Sequence, residues 1–191
     1  MLSGNSRSVL KEAVDILIRV NGDRIASGIV NEKKHRVVRY FPLVEPLDVG
    51  PTIGVALDGR WVVGTATNLR FLTDDKPSVG WLILLEHHID GIRSQIFKSV
   101  EDQELTERIA REIPFQVVAV SGLESEMEYW NSLAMDWIEG GVFAENISTL
   151  LEKISLDSSK SQRIRHRAKR LFAIYGEAPS KGSAGCFDRQ P

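Results

Sequence analysis

Between residues 24 and 72 the hydrophobic pattern changes period, and that change constrains the fold more than any motif in the chain. Before it, Val9, Leu10, Ala13, Val14, Leu17 and Ile18 recur at the 3.6-residue spacing of an amphipathic helix, predicted over residues 6–20. Asn21-Gly22 supplies its stop, since both residues tolerate the left-handed conformation of a helix end. From residue 24 onward, short runs rich in Val, Ile, Tyr, Phe and Trp alternate with turn residues, which is the composition of strands. Asp58-Gly59, between 53–57 and 61–65, predicts a hairpin with a two-residue turn and positive φ at both central positions. Residues 44–52, with Pro46, Gly50 and Pro51, read as a loop, and so do residues 73–78.

Two further runs, 79–85 and 115–120, are almost continuously apolar and read as strands covered on both faces. Between them, residues 100–113 have helical spacing in Leu105, Ile109 and Ile113, and Pro114 ends that helix. Ser121 and Glu124 fit a capping box for a helix with the stripe Leu123, Met127, Trp130, Ala134, Trp137 and Ile138, stopped by Gly140-Gly141. Two more helical patterns follow, at Phe143, Ile147, Leu150, Leu151 and Ile154, then at Ile164, Ala168, Leu171 and Tyr175. The order predicts an α+β fold with a mixed or antiparallel sheet of about five strands, covering helices and a three-helix C-terminal segment. Short connections predict one domain over residues 1–176, with a sheet-containing body at 1–120 and a helical segment at 121–176 packed on it. The aperiodic stretch 177–191 reads as a disordered tail.

At 191 residues the chain can bury a core without disulfide staples. It is too short for a barrel of eight strand–helix units, which takes about 250 residues. The single cysteine, Cys186, cannot close an intrachain disulfide. Residues 1–5 show no basic stretch leading into an apolar run, and the longest apolar stretch, from Trp81 to Leu85, falls far short of the roughly 20 residues that span a bilayer. The expectation is a cytoplasmic protein with no membrane partner.

The formal charge of -2 conceals a strong asymmetry. Residues 160–170 contain Lys160, Arg163, Arg165, Arg167, Lys169 and Arg170 and no acid, a charge of +6, and the residues after them balance, which leaves -8 on residues 1–159. At about 100° per residue, Ile164, Ala168, Leu171 and Tyr175 fall on one side of a helix and Arg163, Arg165, Arg167, Lys169 and Arg170 on the other. Such a helix docks by its apolar stripe and presents cations to an anionic partner. These five cations are the expected binding residues.

The string Glu86-His87-His88-Ile89-Asp90-Gly91 is the strongest catalytic candidate. Histidines with a nearby carboxylate provide a general base and its orienting partner, or ligands for zinc or iron. On an extended chain His87 and His88 point to opposite faces, so they share a metal only where the chain bends. The string resembles the His-His-x-x-x-Asp-Gly motif of the condensation-domain and chloramphenicol-acetyltransferase superfamily, a resemblance that implies His88 as the base. Here Ile89 alone separates the pair from Asp90, where that superfamily has three residues, and nothing else in the chain extends the likeness.

Glu124, Glu126 and Glu128 read as acids at the start of the Trp-bearing helix, with Glu124 and Glu128 sharing a face, where they complement the macrodipole. Trp130 and Trp137 read as core, and His35 and His166 are isolated. No Gly-rich phosphate loop, Gly-x-Ser-x-Gly elbow, His-Glu-x-x-His helix or Cys-x-x-Cys pair occurs in the sequence. The reading that follows is a small macromolecular interaction protein that binds another protein, with no catalysis, cofactor or metal. Nucleic-acid binding by residues 160–175 is the first alternative. A small hydrolase or transferase using His87 or His88 with Asp90 is the second.

Overall fold

Strand-forming residues are concentrated in one stretch, and the sheet is confined to it. The computed structural model describes residues 4–31, 35–44, 51–72, 79–103, 105 and 107–176. Its five strands are β1 (Ala26–Asn31), β2 (His35–Val44), β3 (Thr52–Ala56), β4 (Trp61–Thr65) and β5 (Asn68–Phe71). Each pairs antiparallel with the next. A meander with an odd number of strands brings its first and last strands into the same direction. Accordingly β1 and β5 join in parallel at Val30 and Leu69, closing a barrel. Closure removes the exposed sheet edges that would otherwise recruit other chains.

Val30, Val38, Tyr40, Ala56, Val62, Leu69 and Phe71 form a buried cluster within the barrel. Along β1 and the start of β2, buried and exposed residues alternate: Val30 and Val38 are buried, whereas Ile29 and Val37 face solvent. In contrast, Ile53, Val55, Trp61 and Val63 are buried along with their interior neighbours. Helices explain this second covered face: α1 (Gly4–Asn21) packs on β3, α2 (Val79–Leu82) on β4 and α3 (Ile89–Asp102) on β2.

The hairpin at Asp58-Gly59 forms, but with a longer turn than predicted. Ala56 and Arg60 close it, with Ala56 N–H donating to Arg60 O at 2.8 Å and Gly59 N–H donating to Ala56 O at 2.8 Å. Gly59 alone among the loop residues 57–59 is a glycine, and at φ 78° it takes the left-handed bulge position of a three-residue hairpin loop. Arg60 returns across the turn: its Nε and Nη2 donate to Asp58 Oδ2 at 2.9 and 2.5 Å, and its guanidinium carbon lies 3.4 Å from the Phe71 ring centroid. Burial pushes the Asp58 carboxyl up, but the hydrogen bonds and charge of Arg60, assisted by the charge of Arg36, outweigh it and hold the group below its usual range.

Neither of the two continuous apolar runs is a strand. Residues 79–85 form α2 and a 3-10 turn (Ile83–Glu86), and residues 115–120 lie in α5 (Phe115–Glu124). A short apolar run fits a fully buried helix as well as a strand covered on both faces, so period alone does not separate them. Burial does: Trp81, Leu82, Leu84 and Leu85 are inside while Ile83 reaches solvent, a helical distribution that no two-residue alternation produces. Pro114 precedes the first residue of α5, where its missing N–H leaves no helical bond unmade.

The predicted helix over 100–113 is also divided, since α3 ends at Asp102 and among the described residues that follow only Arg108–Arg111 (α4) is helical before Pro114. Ser121 is no cap. It lies inside α5 and its Oγ donates to Val117 O, while α6 begins later, at Glu128, and runs to Glu139. Met127, expected on the buried stripe, precedes α6 and is exposed. The α5–α6 crossing requires a glycine, because a Cβ on Gly122 would stand 2.7 Å from both Ala134 Cβ and Leu85 Cδ1. Asn131, fully buried on α6, donates through Nδ2 to Gly122 O (2.8 Å), Leu123 O (3.1 Å) and Ser125 O (2.9 Å), satisfying carbonyls at the end of α5.

The chain divides into two compact units, Met1–Ala144 and Glu145–Pro191. The second contains the helices α7 (Ile147–Leu156) and α8 (Gln162–Tyr175), which pack together. Residues 177–191, read as a tail, lie outside the described residues, as do residues 73–78 and most of the loop predicted at 44–52. Among the described residues no helix is long and apolar enough to cross a membrane.

Candidate functional site

The cationic segment is a helix anchored by its apolar stripe. Ile164, Ala168 and Leu171 of α8 are buried, as are Ile147, Leu151 and Ile154 of α7, both sets at i, i+4, i+7 spacing. The connection between the helices is fixed locally. Asp157 Oδ1 accepts from Ser159 N–H (2.9 Å) and Ser159 Oγ (2.6 Å), and these bonds hold the Asp157 carboxyl below its usual range. Ser161 then caps α8 by accepting from Ile164 N–H at 3.5 Å.

The cations flank the buried stripe instead of standing opposite it. By helical geometry Arg163, Arg167 and Arg170 fall within about 60° of one another on one flank, and Arg165 and Lys169 within about 40° on the other. Arg163, Lys169 and Arg170 are exposed, whereas Arg165 and Arg167 are half-buried. Lys160, Arg167 and Arg170 take part in intramolecular interactions, so the surface contribution rests first on Arg163, Arg165 and Lys169.

Their placement opposes the helix's own electrostatics. The first turn of α8 has no acid and its last turn no base, while Arg163 and Arg165 sit near the positive N-terminal end. A cation there costs roughly 0.3–1 kcal/mol. Burying an Ile or Leu contributes about 1.5–3 kcal/mol, so the apolar stripe carries the helix despite its charges. The positions of Arg163 and Arg165 are therefore not explained by the helix dipole.

The Glu86–Asp90 string lies on the other unit, at the 3-10 turn and the start of α3. His88 precedes the first residue of α3, and its Nδ1 stands 3.6 Å from Asp90 Oδ2, with the two side chains 79% and 66% exposed. Asp90 also faces Arg93 Nη1 at 3.6 Å, and Arg93 donates to Gly140 O at 3.0 Å. His87 contributes its backbone: Trp137 Nε1–H donates to His87 O at 2.9 Å. Tyr129 O–H donates to Glu86 Oε1 at 3.0 Å, and that bond to a carboxylate raises the phenol above its ordinary value. The structure thus brings His88 and Asp90 together on open surface.

Glu124 and Glu128 do not share a helix. Glu124 ends α5 and Glu128 begins α6, because the chain leaves the helix at Ser125. Among the described residues no group of three or more His, Cys, Asp or Glu side chains converges as a metal site. Trp137 is buried and meets Phe115 edge-on at 5.7 Å, whereas Trp130 is half-buried beside Tyr129. His35 opens β2, His166 is exposed on α8 and Cys186 lies outside the described residues.

One feature escapes sequence patterning. A cavity of about 240 Å³ lies where the end of β2 meets the end of α3. Pro42, Leu43 and Val44 give it an apolar side; Arg24, Lys98 and Asp102 bring charge, and Gln95, Ser99 and Gln103 bring neutral polar groups. These residues are spread over three elements, and no local motif joins them. Comparison with family models, with curated proteins and with solved structures returns no match.

Proposed function

We propose that this chain is a small macromolecular interaction protein that docks through α8 onto an acidic surface of another protein. The observation that carries the reading is the run of cations on α8, with Arg163 and Arg165 set against the helix dipole and no carboxylate anywhere on that helix. Charge complementarity of this kind governs encounter rate and partner choice more than raw affinity. No aromatic residue interleaves with the cations between Lys160 and Arg170, so the segment lacks the base-stacking groups of a nucleic-acid groove, which favours a carboxylate patch. His88 and Asp90 meet in the open and support no reaction that needs an enclosed site.

Fluorescence polarisation with labelled poly-L-glutamate and with a short DNA duplex tests the reading. Poly-L-glutamate should bind at low salt, and Arg163→Ala, Arg165→Ala and Lys169→Ala combined should weaken it about tenfold, equivalent to ~1.4 kcal/mol. Failure of poly-L-glutamate to bind overturns the proposal. Tighter binding of the duplex, with a salt slope that flattens in the triple variant, replaces it with the nucleic-acid alternative.

A further inference from the structure

The cavity beside the end of α3 holds charges of both signs in a small volume, and that combination selects a ligand. Lys98 and Asp102 come from α3, and Arg24 ends the 3-10 turn before β1. Asp102 is the last residue of α3, whose final turn carries no basic residue. A carboxylate at the negative end of the dipole is disfavoured, and a cation placed beside it is favoured. Gln103, only 4% exposed, donates from Nε2 to Ser99 Oγ at 2.8 Å, which fixes its amide at the cavity and leaves Oε1 as an acceptor.

We infer that this cavity binds a small zwitterion, an α-amino acid with a short aliphatic side chain. Arg24 and Lys98 take the carboxylate, Asp102 and Gln103 Oε1 take the ammonium group, and Leu43 and Val44 receive the side chain. A simple anion meets repulsion from Asp102, and a simple amine meets it from Arg24 and Lys98. A molecule carrying both charges finds a partner for each of them. The volume of about 240 Å³ falls below the roughly 300–1,000 Å³ of pockets for drug-sized ligands, which suits a molecule of this size. This inference is independent of α8 and stands or falls separately.

The test is an NMR titration of the full chain, read at the Ser99 and Gln103 amides. L-alanine, L-valine and L-leucine are the probes, with 3-methylbutanoate and isobutylamine as analogues of valine lacking one charge each. At least one amino acid should saturate with a Kd below about 1 mM, and each valine analogue should bind about tenfold more weakly than valine. Asp102→Asn should weaken valine and tighten 3-methylbutanoate, whereas Arg24→Gln should weaken both. Absence of saturation by all three amino acids up to about 10 mM overturns the inference, as does valine binding no tighter than its analogues or unaltered in both variants.

Discussion

The end of α3 and the start of α8 both carry charges of the sign that their helix dipoles disfavour, Asp102 at one and Arg163 with Arg165 at the other. They differ in shape. The α3 end borders an open cavity lined by Arg24 and the last residues of β2, whereas the α8 cations line the flanks of a helix that packs on α7. In the two proposals made above, similar electrostatic opposition meets different sizes of ligand, a small molecule at one site and an extended surface at the other.

The largest expected effect tests whether the first unit gives α3 a rigid frame. Replacing Asn131 by Leu removes its amide donor from the carbonyls of Gly122, Leu123 and Ser125, of which Gly122 O keeps the Ser125 N–H at 3.4 Å. At about 1–3 kcal/mol for each polar group left buried and unpaired, urea denaturation should show a loss of at least 2 kcal/mol, roughly. Polyanion binding by α8 should survive this change under conditions where the protein remains folded. The triple alanine variant of α8 makes the converse case: about tenfold weaker poly-L-glutamate binding, with the amino-acid titration unmoved.

A smaller effect follows from Asp58, whose carboxyl is held below its usual range in the folded protein. A depressed folded pKa stabilises above the unfolded value of about 3.9, and that contribution is lost as pH falls through the folded pKa. The urea midpoint of the wild type should exceed that of Asp58→Asn at neutral pH, and the gap should narrow below about pH 4. The side chain is 39% exposed, so solvent screening keeps the gap modest. Smallest of all, Asp102→Asn should raise stability by a few tenths of a kcal/mol, as removal of a disfavoured charge at a helix end requires.

The sheet was legible because strand signals in residues 24–72 are local. β-branched and aromatic runs separated by turn residues mark the stretch as strands, and Asp58-Gly59 marks the hairpin between 53–57 and 61–65, while the bounds of the other strands were not read. The runs at 79–85 and 115–120 were misleading for a physical reason: deep burial erases the polar side of a helix, and with it the period that identifies one. Ile53 to Ala56, similarly apolar, is a strand. The capping box at Ser121 failed because α5 continues through Ser121 to Glu124, so the Ser121 hydroxyl donates to Val117 O and the next helix starts only at Glu128. The cations of α8 were visible as a run with helical spacing, although their flanking arrangement and partial burial were not. Nothing local could announce the cavity, whose charges lie at positions 24, 98 and 102 and meet only through the packing of α3 on β2.

The most direct measurement is equilibrium urea unfolding of the Arg163→Glu, Arg165→Glu double variant, followed by poly-L-glutamate binding on the same sample. If these cations stand against the dipole for the sake of a partner, reversing them should raise stability by at least about 0.6 kcal/mol while abolishing binding. A fall in stability would contradict the account, since it would make the arginines structural members of their own helix.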